Sequence, residues 1–363
     1  MTDLVPDETR DAIPLKGSGR DPDRVRRVLG QWLAPRVGAG PDLAVSSLST
    51  PGGTGVANET VLFEASWDVG GREHRQGFVA RFASERTLYI EADIEVHART
   101  YEALADVAGV PVPRVYGYEG DRDLLGAPFF VMERLGGQVP SDQPQWPTAG
   151  FVFEASPARR RAMWEGAVRV LAALHQVETS RFPFLAPPAG TSGLADHLAY
   201  WRRYLDAATG GRPHDVLEQG HEWLLCHLPD PAPTGFSWGD ARFANIMFAG
   251  DRVVGIFDWD TVSLAGPEAD LAWWRFMDGP AADALTGIGT ADELVSRWEE
   301  HTGRKVQHLE WYEVFTSFRL GAIMMRLFAH MADDGIMSPA DAELQGRQSG
   351  PVLALAGQLQ ALA

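Results

Sequence analysis

Apolar and polar positions alternate in short runs over the first third of the chain and recur at helical spacing over most of the rest. The runs at 43–48, 60–67 and 77–82 are β-prone, and Gly70-Gly71 between the second and third is a tight-hairpin signal, so an antiparallel sheet is expected. A helix near 23–34 precedes them. Residues 87–107 lack Gly and Pro and carry Leu88, Ala92, Val96 and Leu104 near helical spacing, which predicts a helix beside the sheet. Gly109-Val110-Pro111-Val112-Pro113 ends it. A strand over 114–118 follows, and then an apolar strand, 128–135, that runs into Gly136-Gly137. After a proline-rich stretch the pattern becomes helical: 157–177, 194–208, 216–228, a helix opened by Gly266-Pro267, and then 292–301, 306–331 and 339–362.

This pattern implies an α+β protein with a small antiparallel sheet followed by a larger helical region. Residues 1–22, polar and dotted with Pro and Gly, read as an arm; 23–135 form the sheet-bearing domain and 136–363 the helical one. At 363 residues, 45% hydrophobic and 22% charged, the chain is long enough for two sizeable cores. The single cysteine, Cys226, rules out an intrachain disulfide framework, and its place in an apolar run suggests a buried thiol. A formal charge of −17 argues against a nucleic-acid backbone as partner. No apolar run approaches a membrane span and the acidic N-terminus has no signal-type apolar region, so a cytoplasmic protein without a membrane partner is expected.

The candidate chemistry concentrates in 236–260, FSWGDARFANIMFAGDRVVGIFDWD. Asp240 is followed by Asn245, and Asp258 closes the apolar run Val253 to Phe257. That order reads as loop, hairpin, loop. A carboxylate to accept a hydroxyl proton, with an amide and a second carboxylate to hold magnesium, is the set that phosphoryl transfer requires, and hard oxygen ligands suit that ion. Upstream, the glycine-rich turn 51–58 lies between the first two strands. There Gly53, Thr54, Gly55 and Asn58 would let backbone N–H groups approach phosphate. No lysine occurs between Lys16 and Lys305, and Arg81 is the basic residue of the third run, 77–82.

Taken in order, these segments resemble the aminoglycoside phosphotransferase and choline kinase-like branch of the protein-kinase-like superfamily. The resemblance covers roughly 43–330 and is most specific over 239–260. It implies a bilobal kinase-like fold with ATP between the lobes and Mg2+ as cofactor, transferring the γ-phosphate to a hydroxyl of a small molecule. Asp240 would be the catalytic base, and Asn245 and Asp258 the metal ligands. Arg81 would steady the phosphates, paired with Glu95 or, one turn away, Glu91. Backbone at Glu133 and Leu135 would meet adenine, and Asp270 would brace the catalytic loop. Trp238 stands where many relatives carry His and would support the metal loop through packing; Asp260 stands where relatives often carry Glu or Gly. The alternative is a nucleotide-binding regulatory protein of the same fold without turnover.

Overall fold

Ala44–Val45 (β1), Glu59–Val69 (β2), Arg72–Phe82 (β3), Val115–Glu119 (β4) and Phe129–Glu133 (β5) form one antiparallel sheet in the order β1-β2-β3-β5-β4. The coordinates are a computed structural model that describes residues 20–50, 59–84 and 86–362. The glycine-rich turn with Gly53, Thr54, Gly55 and Asn58 therefore lies outside the described residues, as does most of the expected arm. Gly70 and Gly71 turn the β2–β3 hairpin at φ of 63° and 80°, a region that glycine enters without steric cost. Strand alternation then sorts the side chains. Val61, Phe63, Ala65, Phe78, Ala80, Phe82, Phe129 and Val131 point to one face and bury themselves with the helix Pro22–Leu33. Arg81 is opposite Thr60 and Phe130 and belongs to the other face, where Phe130 meets Tyr101 of the helix Ile94–Leu104 with ring centroids 6.0 Å apart.

The chain falls into two compact units. One comprises residues up to Thr87, Asp93–Ala105 and Pro113–Gly136; the other comprises Leu88–Ala92, Asp106–Val112 and everything from Gly137 onward. The expected helix over 87–107 is therefore corrected. Asp93 caps a helix that starts only at Ile94, its carboxylate accepting from Glu95 N at 2.9 Å. The preceding Leu88, Tyr89 and Ile90 are three consecutive apolar residues, which no single helix face can bury. They pack instead into the core of the second unit. There Tyr200 Oη donates to Ile90 O at 3.0 Å, Tyr204 Oη to Leu88 O at 2.8 Å, and Arg203 forks onto Glu91 at 3.1 and 3.0 Å.

The second unit is helical: Gly193–Thr209, Asp215–Cys226 and Glu268–Met277 pack on the long helix Leu309–Asp333, while Pro157–Leu174 packs on Ala291–Thr302. Ser156, Ser192 and Thr290 supply side-chain oxygens as N-caps. A small hairpin, Ile246–Ala249 (β6) with Arg252–Ile256 (β7), stands beside Pro157–Leu174. The expected single helix 339–362 is two, Pro339–Arg347 and Gly350–Leu362. Cys226 is exposed rather than buried, because the inner face of its helix runs through Leu217, Gly220 and Leu224 and turns the thiol outward. Among the described residues no helix is long and apolar enough to cross a membrane.

Candidate active site

Asp270 fixes the loop that carries Asp240. It is fully buried in the first turn of Glu268–Met277 and accepts four hydrogen bonds: from Ser237 Oγ at 3.0 Å, Trp238 N at 2.6 Å, Gly239 N at 2.7 Å and His175 Nε2 at 2.9 Å. Asp270 thereby braces residues 237–239, which lead into Asp240. His175 caps the C-terminus of Pro157–Leu174 and is also part of the brace. Trp298 donates its indole N–H to His175 Nδ1 at 2.9 Å, and an indole can only donate, so the ring proton is on Nε2 and goes to Asp270. Gly239 is required by space and conformation: its φ is 92°, and a Cβ there would sit 2.2 Å from the carbonyl oxygen of Thr261.

Three donors converge on Asp240. Trp273 Nε1 reaches Oδ1 at 2.7 Å, while Asn245 Nδ2 and Arg242 Nε reach Oδ2 at 2.7 and 3.1 Å. The carboxylate is thereby held in one orientation, and its side chain keeps 13% exposure, enough for access from one side. Arg242 also forks onto Asp142 at 2.6 and 2.9 Å. Burial alone would lower the guanidinium's proton affinity, but Asp240 and Asp142 outweigh it and hold the group above its usual value.

Asn245 ends a short 3-10 turn, Phe243–Asn245, and its amide nitrogen is committed to Asp240 O and Oδ2. Its Oδ1 is thus the atom left for a hard cation. Asn245 O accepts from Phe257 N at 3.0 Å, which ties this turn to the loop bearing Asp258. Asp258 adopts a φ of 71°, a left-handed conformation uncommon outside glycine. Trp238 secures that loop by splitting its indole N–H between Phe257 O and Asp258 O, both at 2.9 Å, and Asp260 N leans on Asp258 Oδ1 at 3.4 Å. Among the described residues no cluster of three or more His, Cys, Asp or Glu could hold a metal by itself. An amide oxygen and one carboxylate are nonetheless donors of the kind that would suit magnesium.

Sequence reasoning missed much of this support. Trp273 follows Asp270 by three residues, on the same side of the helix, a spacing that could have flagged it. Arg319 is the one charged side chain in the stretch Val314 to Met325, and such a lone charge signals a buried partner. It is fully buried over the rings of Trp273 (4.4 Å) and Trp201 (4.9 Å), and its Nη2 donates to Gly239 O at 3.0 Å. Desolvation pulls the guanidinium down to about 10, against the raising influence of Tyr89, Asp270 and Asp240. Asp278 accepts from Phe243 N at 2.6 Å, and burial pushes its carboxyl up to about 7 despite that bond and the charge of Arg242.

In the first unit the expected Arg81–Glu95 pair is not made. Glu95 lies in the first helical turn, away from the buried face of Ile94, His97, Ala98 and Tyr101, and its carboxylate stands 4.0 Å from Arg99. Glu91 is taken by Arg203. Arg81 Nε is buried without a hydrogen-bond partner among the described residues. Glu133 closes β5, its N accepted by Arg114 O at 2.8 Å, and Leu135 follows beyond the strand.

Residues 53–303, more than two thirds of the chain, match the phosphotransferase enzyme family. The chain belongs to that family. Its fold is that of a putative aminoglycoside phosphotransferase from Ralstonia eutropha, 24% identical, with 91% of this chain and 98% of that one covered and a TM-score of 0.67. A thermostable mutant of aminoglycoside phosphotransferase APH(4)-Ia in a ternary complex with AMP-PNP and hygromycin B is similar at 17% identity, 91% and 98% coverage and a TM-score of 0.53. Both likenesses establish the kinase-like fold. Among curated proteins the chain is similar to mouse acyl-CoA dehydrogenase family member 10 (27% identity, 72% of this chain) and human acyl-CoA dehydrogenase family member 11 (29%, 52% of this chain). In each the match spans only 25% of the relative's length.

Proposed function

We propose that this protein transfers the terminal phosphoryl group of ATP to a hydroxyl of a small molecule, with magnesium as cofactor. The observation that carries the reading is the arrangement at Asp240: a carboxylate oriented by Trp273, Asn245 and Arg242, with the Asn245 amide turned so that its oxygen is left for a cation. Asp240 orients the acceptor hydroxyl and takes its proton. Asn245 and Asp258 hold magnesium, which screens the phosphate charge when bound. Arg81 steadies the phosphates through a guanidinium suited to forked contacts with oxygen. Backbone at Glu133 and Leu135, with the glycine turn that includes Gly53, Thr54, Gly55 and Asn58, completes the nucleotide contacts in this reading, and Trp238, Asp260 and Asp270 keep the loops in place.

The nucleotide and aminoglycoside complexes of structural neighbours support the nucleotide and the hydroxyl acceptor. The test is a screen of small hydroxyl compounds with ATP and magnesium, scored by mass spectrometry for a phosphorylated product. ATP binding without a phosphorylated product from any compound would favour a regulatory protein instead.

A further inference from the structure

A cavity of about 230 Å³ lies in the second unit beside the loop that carries Asp258. Val262 and Leu264, which continue that loop, line one side; Phe184 and Leu185 line another, and the helix Gly193–Thr209 closes it with Asp196, His197 and Tyr200. Its floor is joined to the catalytic loop. Ser237, three residues before Asp240, exchanges backbone hydrogen bonds with Ser263 at 2.9 and 3.1 Å.

The wall holds a donor that makes no hydrogen bond among the described residues. His197 is 6% exposed, and its Nε2 lies 3.1 Å from the indole Nε1 of Trp201. Because an indole only donates, Nε2 is the acceptor and the ring proton belongs to Nδ1. Nδ1 makes no hydrogen bond to another described residue and, unlike the fully enclosed unpartnered atoms, keeps some access from the cavity that His197 lines. The ring cannot easily turn away: Tyr200 stacks on it at 6.2 Å and Phe315 meets it edge-on at 5.7 Å. Burial, reinforced by the charge of Arg319, pushes the imidazole well below its usual range, so His197 offers one N–H and no charge. A ligand oxygen at Nδ1 would give this donor the partner that the described residues do not supply.

Charge and size limit the ligand further. Glu91 is forked onto Arg203, which leaves Asp196 as the carboxylate of the lining without such a fork, and Phe184, Leu185, Val262 and Leu264 add apolar side chains to a lining that is otherwise mostly polar. Pockets for drug-sized ligands run about 300 to 1,000 Å³, so this one suits a compound of about a dozen non-hydrogen atoms. A polycation with many amines would find too few partners.

We propose that this cavity is the acceptor pocket, and that its ligand is a compact, neutral hydroxy compound with an apolar flank and a carbonyl or ether oxygen that accepts the Nδ1–H of His197. The inference rests on the function proposed above. In the step it serves, the acceptor oxygen bonds to the terminal phosphorus as Asp240 takes its proton. The bond from that phosphorus to the bridging oxygen breaks, and the nucleoside diphosphate leaves with the electron pair.

The test uses the full chain labelled with ¹⁵N-histidine, without nucleotide, and follows the His197 imidazole while methyl mandelate, pantolactone or kanamycin is added. Ligands of this size bind in the millimolar range, so the two neutral hydroxy esters should give a saturable shift at Nδ1 there, and kanamycin none. His197→Gln retains an acceptor for Trp201 but loses the Nδ1 donor, and should weaken ester binding about three- to tenfold. His197→Asn places an amide N–H near the Nδ1 position while losing the Trp201 contact, so it should bind better than His197→Gln although it is the less stable variant. A purely structural role gives the reverse order and overturns the proposal, as does an absent ester shift or tighter binding of kanamycin. These outcomes are read without turnover, so they leave the phosphotransferase reading standing. Ester binding at His197 without phosphoryl transfer to any hydroxyl compound would instead sink that reading.

Discussion

Asp240 and Arg81 are both assigned to phosphate chemistry, yet their surroundings differ. Asp240 is gripped by three donors within 3.1 Å, and its loop is held by a buried carboxylate that itself accepts four. Arg81 has a buried Nε without a hydrogen-bond partner among the described residues, and the glutamate expected beside it faces Arg99. The contrast follows from what each group has to do. A base must sit within a hydrogen bond of one proton, and misplacing it loses the benefit of positioning, so rigidity is useful. An arginine that meets phosphate oxygens gains its geometry from the forked contact itself.

The largest expected effect tests the rigid half. Asp240→Asn removes the proton acceptor of the proposed function while keeping an oxygen for Trp273. Turnover should fall by about 10² to 10⁴ with the Kd for nucleotide unchanged. Near-parental turnover would detach the gripped carboxylate from the chemistry altogether.

Next comes the brace. Asp270→Asn replaces an acceptor of four hydrogen bonds by an amide that brings donors of its own among buried donors. Hydrogen bonds to a charged group are worth about 1.5 to 3 kcal/mol each, and relaxation recovers some of the loss, so a net destabilisation of about 2 to 4 kcal/mol is expected in urea unfolding. A midpoint within error of the parent's would show that the loop is held by packing instead.

How far the sequence discloses these features depends on separation along the chain. Asp240, Asn245 and Asp258 fall in one stretch with a local signature, and the hairpin at Gly70-Gly71 is written in two residues. The supports are not local: His175 reaches Asp270 across 95 positions, and Arg319 reaches Gly239 across 80. Only their incongruity, a charge or imidazole inside an apolar run, marks them in advance. Leu88 to Ile90 misled for a different reason. Their helix propensity is adequate, but burial in the second unit outweighs it. Cys226 shows the same limit, since an apolar run does not say which side of a helix faces out.

Asp278 sharpens the comparison through pH. Its carboxyl is raised to about 7 when folded, so the native state holds the proton more tightly than the unfolded chain does. Its contribution is intact below the ordinary carboxylate range and is lost as pH rises towards 7. Asp278→Asn, which still offers an oxygen to Phe243 N, should therefore gain on the parent by up to about 1.4 kcal/mol per pH unit between about pH 4 and 7. Thermal or urea unfolding at several pH values measures that slope, and a constant difference across the range would mean that burial does not hold the proton there.

The smallest expected effect is a coupling near zero. If Arg81 and Glu95 formed a buried pair in the free protein, removing either would leave the other unmatched, and the double variant would be far less damaging than the sum. The geometry says otherwise, because Glu95 lies on the outer side of its helix and Arg81 on a sheet face without it. In the absence of nucleotide, Arg81→Ala and Glu95→Gln should therefore change unfolding free energy additively, within about 0.3 to 0.5 kcal/mol. Repeating the cycle with ATP and magnesium asks whether the ligand creates the pair. Under the proposed function Arg81→Ala alone should weaken nucleotide binding, each lost charge-assisted hydrogen bond being worth about 1.5 to 3 kcal/mol. A large coupling already present without ligand would place Arg81 among the fixed groups and erase the difference between the two units. Unchanged nucleotide affinity in Arg81→Ala would instead remove Arg81 from the site and leave the phosphates to the metal and the glycine turn.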